Sequence, residues 1–184
     1  GGTDKDFGAS PTLFSATSNT GVTPMVGACN KNGKFYALNQ DLAGGPLWVD
    51  KIGAGLCFAS AIFNPSDPSS GLYLASDATS INGTPTRGSL REVNPTTGSY
   101  IWQLPLPGRI VGSPSLNGSG VIAAAAYDTT SSGVPGVFLV DAGSGQLLTT
   151  LSTGGKSVWA QPVFADGYLL VGTIGAGLQA FAAP

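Results

Sequence analysis

The sequence contains no histidine, and only 10% of its residues are charged. Without histidine, this chain alone cannot build a Ser-His-Asp triad, a Cys-His dyad, a C-x-x-C-H haem attachment or a histidine-ligated zinc site. No haem is therefore expected in it. Only eight residues are lysine or arginine and the net charge is −2, which argues against nucleic acid as a partner.

Long hydrophobic runs are also missing. The best candidate, "VIAAAAY" at 121–127, is far shorter than the roughly 18 apolar residues that suggest a membrane span. A hydrophobic content of 42% with little net charge excludes disorder, and 184 residues suit one domain. The chain starts Gly1-Gly2, with neither an initiator methionine nor a signal sequence. We therefore expect a processed or excised piece of a longer protein.

The sequence is rich in turn-forming residues, with 28 glycines and 13 prolines, and it repeats. Four similar segments carry Pro11, Ala61, Pro114 and Pro162 at spacings of 50, 53 and 48 residues. Each is followed by an apolar strand and a half-polar strand, and three units add a glycine turn and another strand. Four short strands per unit of about 50 residues predict β-propeller blades.

The expected fold is therefore all-β: about four four-stranded blades, the last incomplete, within a larger ring. The approximate blades are 9–53, 54–107, 108–154 and 155–184. Trp48 and Trp102 each lie four residues after a glycine, on outermost strands. They are expected to cover the gap to the next blade, although ordinary core aromatics would leave nearly the same pattern.

Two cysteines are compatible with one disulfide or with two buried free thiols. Cys29 is expected to end the second strand of one blade, and Cys57 to begin the first strand of the next. Because strand direction alternates, both positions emerge on the same face of the blades. The two residues are thus candidates for a bond across a blade boundary, beside Lys31. A disulfide would place the protein outside the cytoplasm, in an extracellular or periplasmic setting.

Two stretches resemble the pyrroloquinoline-quinone-type propeller family, which includes the eight-bladed quinoprotein alcohol dehydrogenases and polyvinyl-alcohol-dehydrogenase-like proteins. "DKDFGASPTLF" at 4–14 is similar to the acidic-aromatic segment that leads into an inner strand of that family. "NKNGKFYALN" at 30–39 is similar to its basic-Asn-Gly turn and the aromatic-rich strand that follows. The resemblance is residue-specific only over about 4–52. It implies an eight-bladed ring of which this chain would form about half.

The resemblance also implies a cofactor site. Lys31 occupies the place of the basic residue that reaches the carbonyl oxygens of pyrroloquinoline quinone, where it would stabilise negative charge during hydride transfer. Asp6 and Asp4 lie in the acidic segment, and calcium accompanies the quinone in the family. Alternatively, Lys31 is a solvated lysine on an Asn-Gly turn, and the aspartates solvate a loop. Calcium ligands, the stacking tryptophan and the catalytic aspartate cannot be placed, and Phe58 stands where relatives tend to carry tryptophan.

Three functions remain open at this point. The chain is a segment of a secreted quinone-dependent oxidoreductase acting on a small alcohol, or it is a non-catalytic propeller scaffold for protein binding or assembly. In a third possibility it is a self-contained four-bladed domain or a half-ring that pairs with a second copy. The expected partners are accordingly the rest of the propeller or another copy of this chain, because fold alone does not decide function.

Overall fold

The structure, a computed structural model, describes residues 5–19, 21–67, 70–128, 134 and 136–182, so Asp4 lies outside the described residues. Over these ranges the chain forms strands and turns without helices. Nothing described is a helix suited to crossing a lipid bilayer. The strands in chain order are β1 (Thr12–Ser18), β2 (Gly21–Asn30), β3 (Lys34–Asn39), β4 (Trp48–Lys51), β5 (Ile62–Phe63), β6 (Leu72–Ser76), β7 (Thr79–Ile81), β8 (Thr84–Thr86), β9 (Gly88–Val93), β10 (Tyr100–Leu106), β11 (Ser115–Leu116), β12 (Val121–Ala125), β13 (Val137–Asp141), β14 (Leu147–Leu151), β15 (Val163–Ala165), β16 (Tyr168–Thr173) and β17 (Gly177–Ala182).

These strands form four successive antiparallel sheets. Blade 1 is β1-β2-β3-β4, blade 2 is β5-β6-β9-β10, blade 3 is β11-β12-β13-β14, and blade 4 is β15-β16-β17. The blades that the sequence repeat predicted are therefore present, and the last has three described strands. Blade 2 differs from the expected simple meander, because the hairpin β7–β8 is inserted between its second and third strands. Asn82 and Gly83 both have positive φ, 51° and 80°, as a type I′ hairpin turn requires.

Neighbouring blades pack face to face, with one apolar core in each gap. Alternation along a strand sends successive side chains into different cores. In β6, for example, Leu72 and Leu74 join the core shared with blade 1, whereas Tyr73 and Ala75 join the core shared with blade 3. A third core lies between blades 3 and 4. Every residue of β6 is consequently buried, which is the pattern of a strand covered on both faces.

The two repeat tryptophans bridge adjacent blades, as the sequence predicted. The Trp48 indole N–H donates to the Pro95 carbonyl at 2.9 Å, and that of Trp102 donates to the Ala142 carbonyl at 3.0 Å. The Trp48 ring lies against Gly98 of blade 2, and the Trp102 ring lies against Gly145 of blade 3. The repeat glycines of blades 2 and 3, Gly98 and Gly145, are thus the platforms for the tryptophans of the preceding blades.

Strand direction gives the blades two distinct faces. We call one the loop face: second strands end there, first strands begin there, and the links 52–61, 107–114 and 152–162 run along it. The opposite face carries the turns between first and second strands and between third and fourth strands. Backbone bonds on the loop face join the blades, from Ile110 N–H to the Ser76 carbonyl at 3.2 Å and from Val158 N–H to the Ala126 carbonyl at 3.0 Å.

Candidate functional site

The turn between β2 and β3 holds the segment that leads into blade 1. The Lys31 backbone N–H donates to the Asp6 carbonyl at 2.9 Å, and the Asn30 side-chain amide donates to the Lys5 carbonyl at 2.6 Å. Gly33 has a φ of 79°, and a Cβ at this residue would overlap the carbonyl of Gly53. The turn is therefore fixed by packing on both sides.

The side chains of Lys31 and Asp6 lie next to each other. The Lys31 ammonium is 3.7 Å from the Asp6 carboxylate and 5.5 Å from the centre of the Phe58 ring. Asp6 is 79% exposed, whereas the lysine side chain is 21% exposed. The structure thus brings the two cofactor candidates of the sequence into one cluster, with a cation held over an aromatic face.

Five aromatic rings on the loop face contact one another in two groups. Phe7 contacts Tyr36, with ring centres 5.8 Å apart. Trp159 contacts Phe58 at 6.0 Å and Tyr127 at 4.8 Å. We call Tyr36, Phe7, Phe58, Trp159 and Tyr127 the aromatic band. Trp159 is 47% exposed and Phe7 is 58% exposed.

The repeat explains why Phe58 and Trp159 meet. Each lies three residues before the residue that marks its repeat unit, Ala61 in blade 2 and Pro162 in blade 4. The matching residue of blade 1 is Gly8, where a Cβ would overlap the Phe58 ring. Sequence reasoning did not identify Trp159 as a site residue. Its shared offset with Phe58 in the repeat is the signal that would have found it.

Two aspartates on the loop face have structural partners. Asp77, 4% exposed, accepts hydrogen bonds from the backbone N–H groups of Ala54 at 2.8 Å and Leu56 at 2.9 Å. Asp128 accepts from the Arg109 backbone N–H at 2.6 Å and from the Arg87 guanidinium. Burial alone would raise the pKa of Asp128, but these hydrogen bonds outweigh it and hold the pKa below its usual range. Both carboxylates anchor links between blades.

Cys29 and Cys57 form a disulfide, with Cα atoms 5.5 Å apart. This is the pairing for which strand direction made them candidates. Cys29 lies at the end of β2, whereas Cys57 lies in the link to blade 2 and not, as the sequence predicted, at the start of its first strand, because that strand, β5, begins only at Ile62. Both are buried in the core between blades 1 and 2. Cys57 directly precedes Phe58, and Cys29 is two residues before Lys31. The bond therefore fixes the position of the aromatic band relative to blade 1.

Removing this disulfide is expected to lower the free energy of unfolding by about 3 kcal/mol, because the bond closes a loop in the unfolded chain. The two cysteines are 28 residues apart. Urea unfolding of the Cys29→Ala/Cys57→Ala variant and of the oxidised protein would measure the difference. A reducing agent should destabilise the oxidised protein and leave the variant unchanged. A difference under about 1 kcal/mol would contradict this assignment.

Comparison with known structures shows the β-propeller fold. The chain superposes on the computationally designed Ika4 protein with a TM-score of 0.65 and 14% identity, covering 100% of this chain and 94% of that protein. BamB from Moraxella catarrhalis gives a TM-score of 0.60 at 13% identity, with 97% of this chain and 54% of BamB covered. Quinohemoprotein alcohol dehydrogenase from Comamonas testosteroni gives 0.64 at 15%, with 92% and 34% covered.

The chain thus spans about half of BamB and about a third of the dehydrogenase. At such low identity these likenesses establish the fold only. No protein-family profile matches the sequence, and no curated protein matches it either. The likeness to quinoproteins therefore concerns the fold and does not extend to activity, which depends on the residues of the site.

The described residues do not fit a calcium-bound quinone. Calcium needs several oxygen ligands, usually with carboxylates among them, and the described part of the chain has no group of three or more His, Cys, Asp or Glu residues placed to hold a metal. The Lys31 ammonium points to Asp6 and the Phe58 ring. Phe58 itself packs over Gly8, so its ring fills the space beside the lysine.

Proposed function

We propose that this chain is a segment of a larger secreted propeller and works as a non-catalytic binding scaffold completed by further blades at both ends. The observation that carries the proposal is the apolar, exposed outward face of each end blade. On blade 1, Leu13 is 61% exposed and Val22 is 63% exposed. On blade 4, Val163 is 51% exposed and Leu178 is 70% exposed.

Strand register assigns these residues to the outward faces. Leu13 pairs with Val26 and Val163 pairs with Leu170, on the sides turned away from blades 2 and 3. Contiguous apolar surface of this kind marks an interaction site. The buried strand β6 shows what such a face becomes when a neighbouring blade covers it.

A platform glycine in blade 1 supports a further blade as the occupant of that face. Gly44 has the place in blade 1 that Gly98 and Gly145 have in their blades, four residues before the outer-strand residue. Among the described residues, nothing lies within 4 Å of a Cβ built there. The aromatic ring of a preceding blade would fit this position as Trp48 fits Gly98.

Self-association tests the scaffold proposal. With both outward faces uncovered, the isolated chain is expected to have a concentration-dependent mass above its 18.4 kDa monomer. Light scattering during gel filtration measures it. Leu13→Lys and Leu178→Lys should reduce association, whereas Ile101→Lys should not, although Ile101 is 54% exposed on outer strand β10. A chain that stays monomeric near 100 µM (a concentration on the order of 100 Kd for micromolar contacts), or that associates equally in all variants, would overturn the proposal.

A second candidate is quinone-dependent alcohol oxidation by the larger protein, with the missing groups supplied by other blades. It is favoured by the meeting of Lys31, Asp6 and the Cys29–Cys57 bond on the loop face. Titration of the larger protein, with its other blades present, with pyrroloquinoline quinone and Ca²⁺, followed by absorbance and tryptophan fluorescence, separates the candidates. Oxidation predicts saturable binding that is lost in Lys31→Ala. The scaffold proposal predicts no saturable binding of the quinone to the original protein or to its Lys31→Ala variant.

A disulfide is also what supports a secreted location. Disulfides persist in oxidising compartments and are rare in the cytosol. The modest charge and many exposed Ser, Thr and Gly residues suit either an extracellular or a periplasmic protein equally well. Support for a secreted location therefore comes from the disulfide between Cys29 and Cys57.

A further inference from the structure

The basic residues of the chain are concentrated on one of its two faces. Seven of the eight basic residues lie on the loop face, in the turns and links or at the strand ends that meet there: Lys5, Lys31, Lys34, Lys51, Arg87, Arg109 and Lys156. The eighth, Arg91, is buried inside blade 2. Among the described residues, the charged ones in the turns of the opposite face are all acidic: Asp41, Asp67, Asp141 and Asp166. The loop face also carries Asp6, Asp77 and Asp128, so its seven basic residues outnumber these three aspartates in a chain whose net charge is −2.

Part of this basic charge has partners within the chain. Arg87 and Arg109 face Asp128, and Lys31 faces Asp6. Lys34 and Lys51 differ, because they lie directly opposite each other in the register of β3 and β4. Like charges in opposed positions lower the stability of a sheet. The Lys51 ammonium donates to the Asn32 carbonyl at 2.6 Å, a contact that leaves its charge in place, so a negatively charged partner would offset the repulsion of the pair.

The aromatic band lies on this same face. The pair of lysines is next to one group of the band, since Tyr36, which contacts Phe7, is two residues after Lys34 in β3. The exposed ring of Trp159 belongs to the other group. Exposed aromatic rings such as Phe7 and Trp159 belong to the residue types that are enriched in protein-binding surfaces.

We propose that the loop face binds an acidic segment of another protein. An aromatic or large apolar side chain of that segment packs on Phe7 and Trp159, and its carboxylates face Lys34 and Lys51. This proposal rests on the scaffold function and names the class of partner that the scaffold holds. Because it concerns the loop face and not the end blades, it can fail while self-association through the outward faces is still observed, and the reverse also holds.

A protein segment fits this face better than a polyanion does. Proteins that bind duplex DNA typically neutralise about 6–10 phosphates, and here three of the seven cations already face carboxylates. The acidic opposite face and the negative net charge would also repel an extended polyanion. A short acidic segment needs only a few cations and an apolar anchor, and both are present.

Fluorescence anisotropy with a labelled peptide of alternating glutamate and tyrosine tests this inference. The full chain is expected to bind it with a Kd on the order of 10 µM at low salt, and binding should weaken as salt screens the lysines. Trp159→Ala and Lys34→Gln/Lys51→Gln are each expected to weaken binding roughly 10-fold. Ile101→Ala is the control for an exposed apolar residue outside the loop face, and it should leave the Kd unchanged.

Three results would overturn the proposal. The first is no binding of the peptide at about 1 mM, the weak limit of specific recognition. The second is equal binding by a lysine–tyrosine peptide of the same length. The third is binding of polynucleotide or anionic vesicles as tight as that of the acidic peptide at the same salt, which would assign the face to polyanions in general. Unfolding midpoints of each variant, measured alongside, ensure that every Kd refers to folded protein.

Discussion

Trp48→Ala is expected to lower the free energy of unfolding by about 4 kcal/mol, within the range for truncating a large aromatic side chain in a core. The ring is 8% exposed, stacks on Phe35 with ring centres 5.5 Å apart and lies on Gly98 of the next blade. Its indole hydrogen bond to Pro95 is lost as well. The substitution therefore leaves a cavity in the interface between blades 1 and 2.

Thr149→Ala is the matched control, because Thr149 occupies in blade 3 the position that Trp48 has in blade 1 and is exposed. Its expected cost is under about 0.5 kcal/mol. Urea unfolding of both variants measures the difference. If Trp48→Ala cost no more than Thr149→Ala, the tryptophan would be a surface residue and the blade-docking account would be wrong.

Arg91→Ala is expected to cost about 4 kcal/mol, because it removes a buried charge that satisfies three acceptors. The guanidinium donates to the Ile52 carbonyl at 2.7 Å, to the Thr79 hydroxyl at 3.0 Å and to the Gln103 side chain at 3.1 Å. It thus ties together blade 1, the β7–β8 hairpin and the outer strand of blade 2. Burial lowers the pKa of Arg91, partly offset by the nearby Tyr100 and Asp50.

Arg91→Lys distinguishes the hydrogen-bond geometry from the charge alone. One ammonium cannot reach three acceptors that match a planar guanidinium, so about half of the loss is expected to remain, roughly 2 kcal/mol. Lys34→Ala is the control for removing an exposed cation. Urea unfolding measures all three variants. A lysine variant as stable as the original protein would show that Arg91 acts only as a charge.

The blade pattern was predictable because its signals repeat. A proline directly precedes the inner strand in three of the four units, and the Gly-x-x-x-Trp spacing occurs in two of them, so the units support one another's assignment. The direction of antiparallel strands was enough to make Cys29 and Cys57 candidates for a bond. These features follow from residue spacing and from the number of strands, and both can be counted along the sequence.

Other features depend on which blades end up adjacent, and the sequence did not reveal them. Arg91 lies in "SLREVN", where alternation gives no reason to expect a fully buried cation, yet the inserted hairpin and blade 1 cover it. The hairpin itself had a signal, the Asn82-Gly83 pair, which is a strong two-residue turn. The contact between Phe58 and Trp159 joins residues about a hundred positions apart and follows from the arrangement of blades around a shared centre.

The central claim is that consecutive blades dock in series, each tryptophan resting on the glycine of the next blade. Nuclear Overhauser contacts from the Trp48 and Trp102 rings, in a protein of 18.4 kDa, test it directly. The account predicts contacts from Trp48 to the α-protons of Gly98, from Trp102 to those of Gly145, and from neither ring to Gly44. Tryptophan contacts confined to their own sheets, or a ring contact to Gly44, would contradict the serial docking of blades and the uncovered outward face of blade 1.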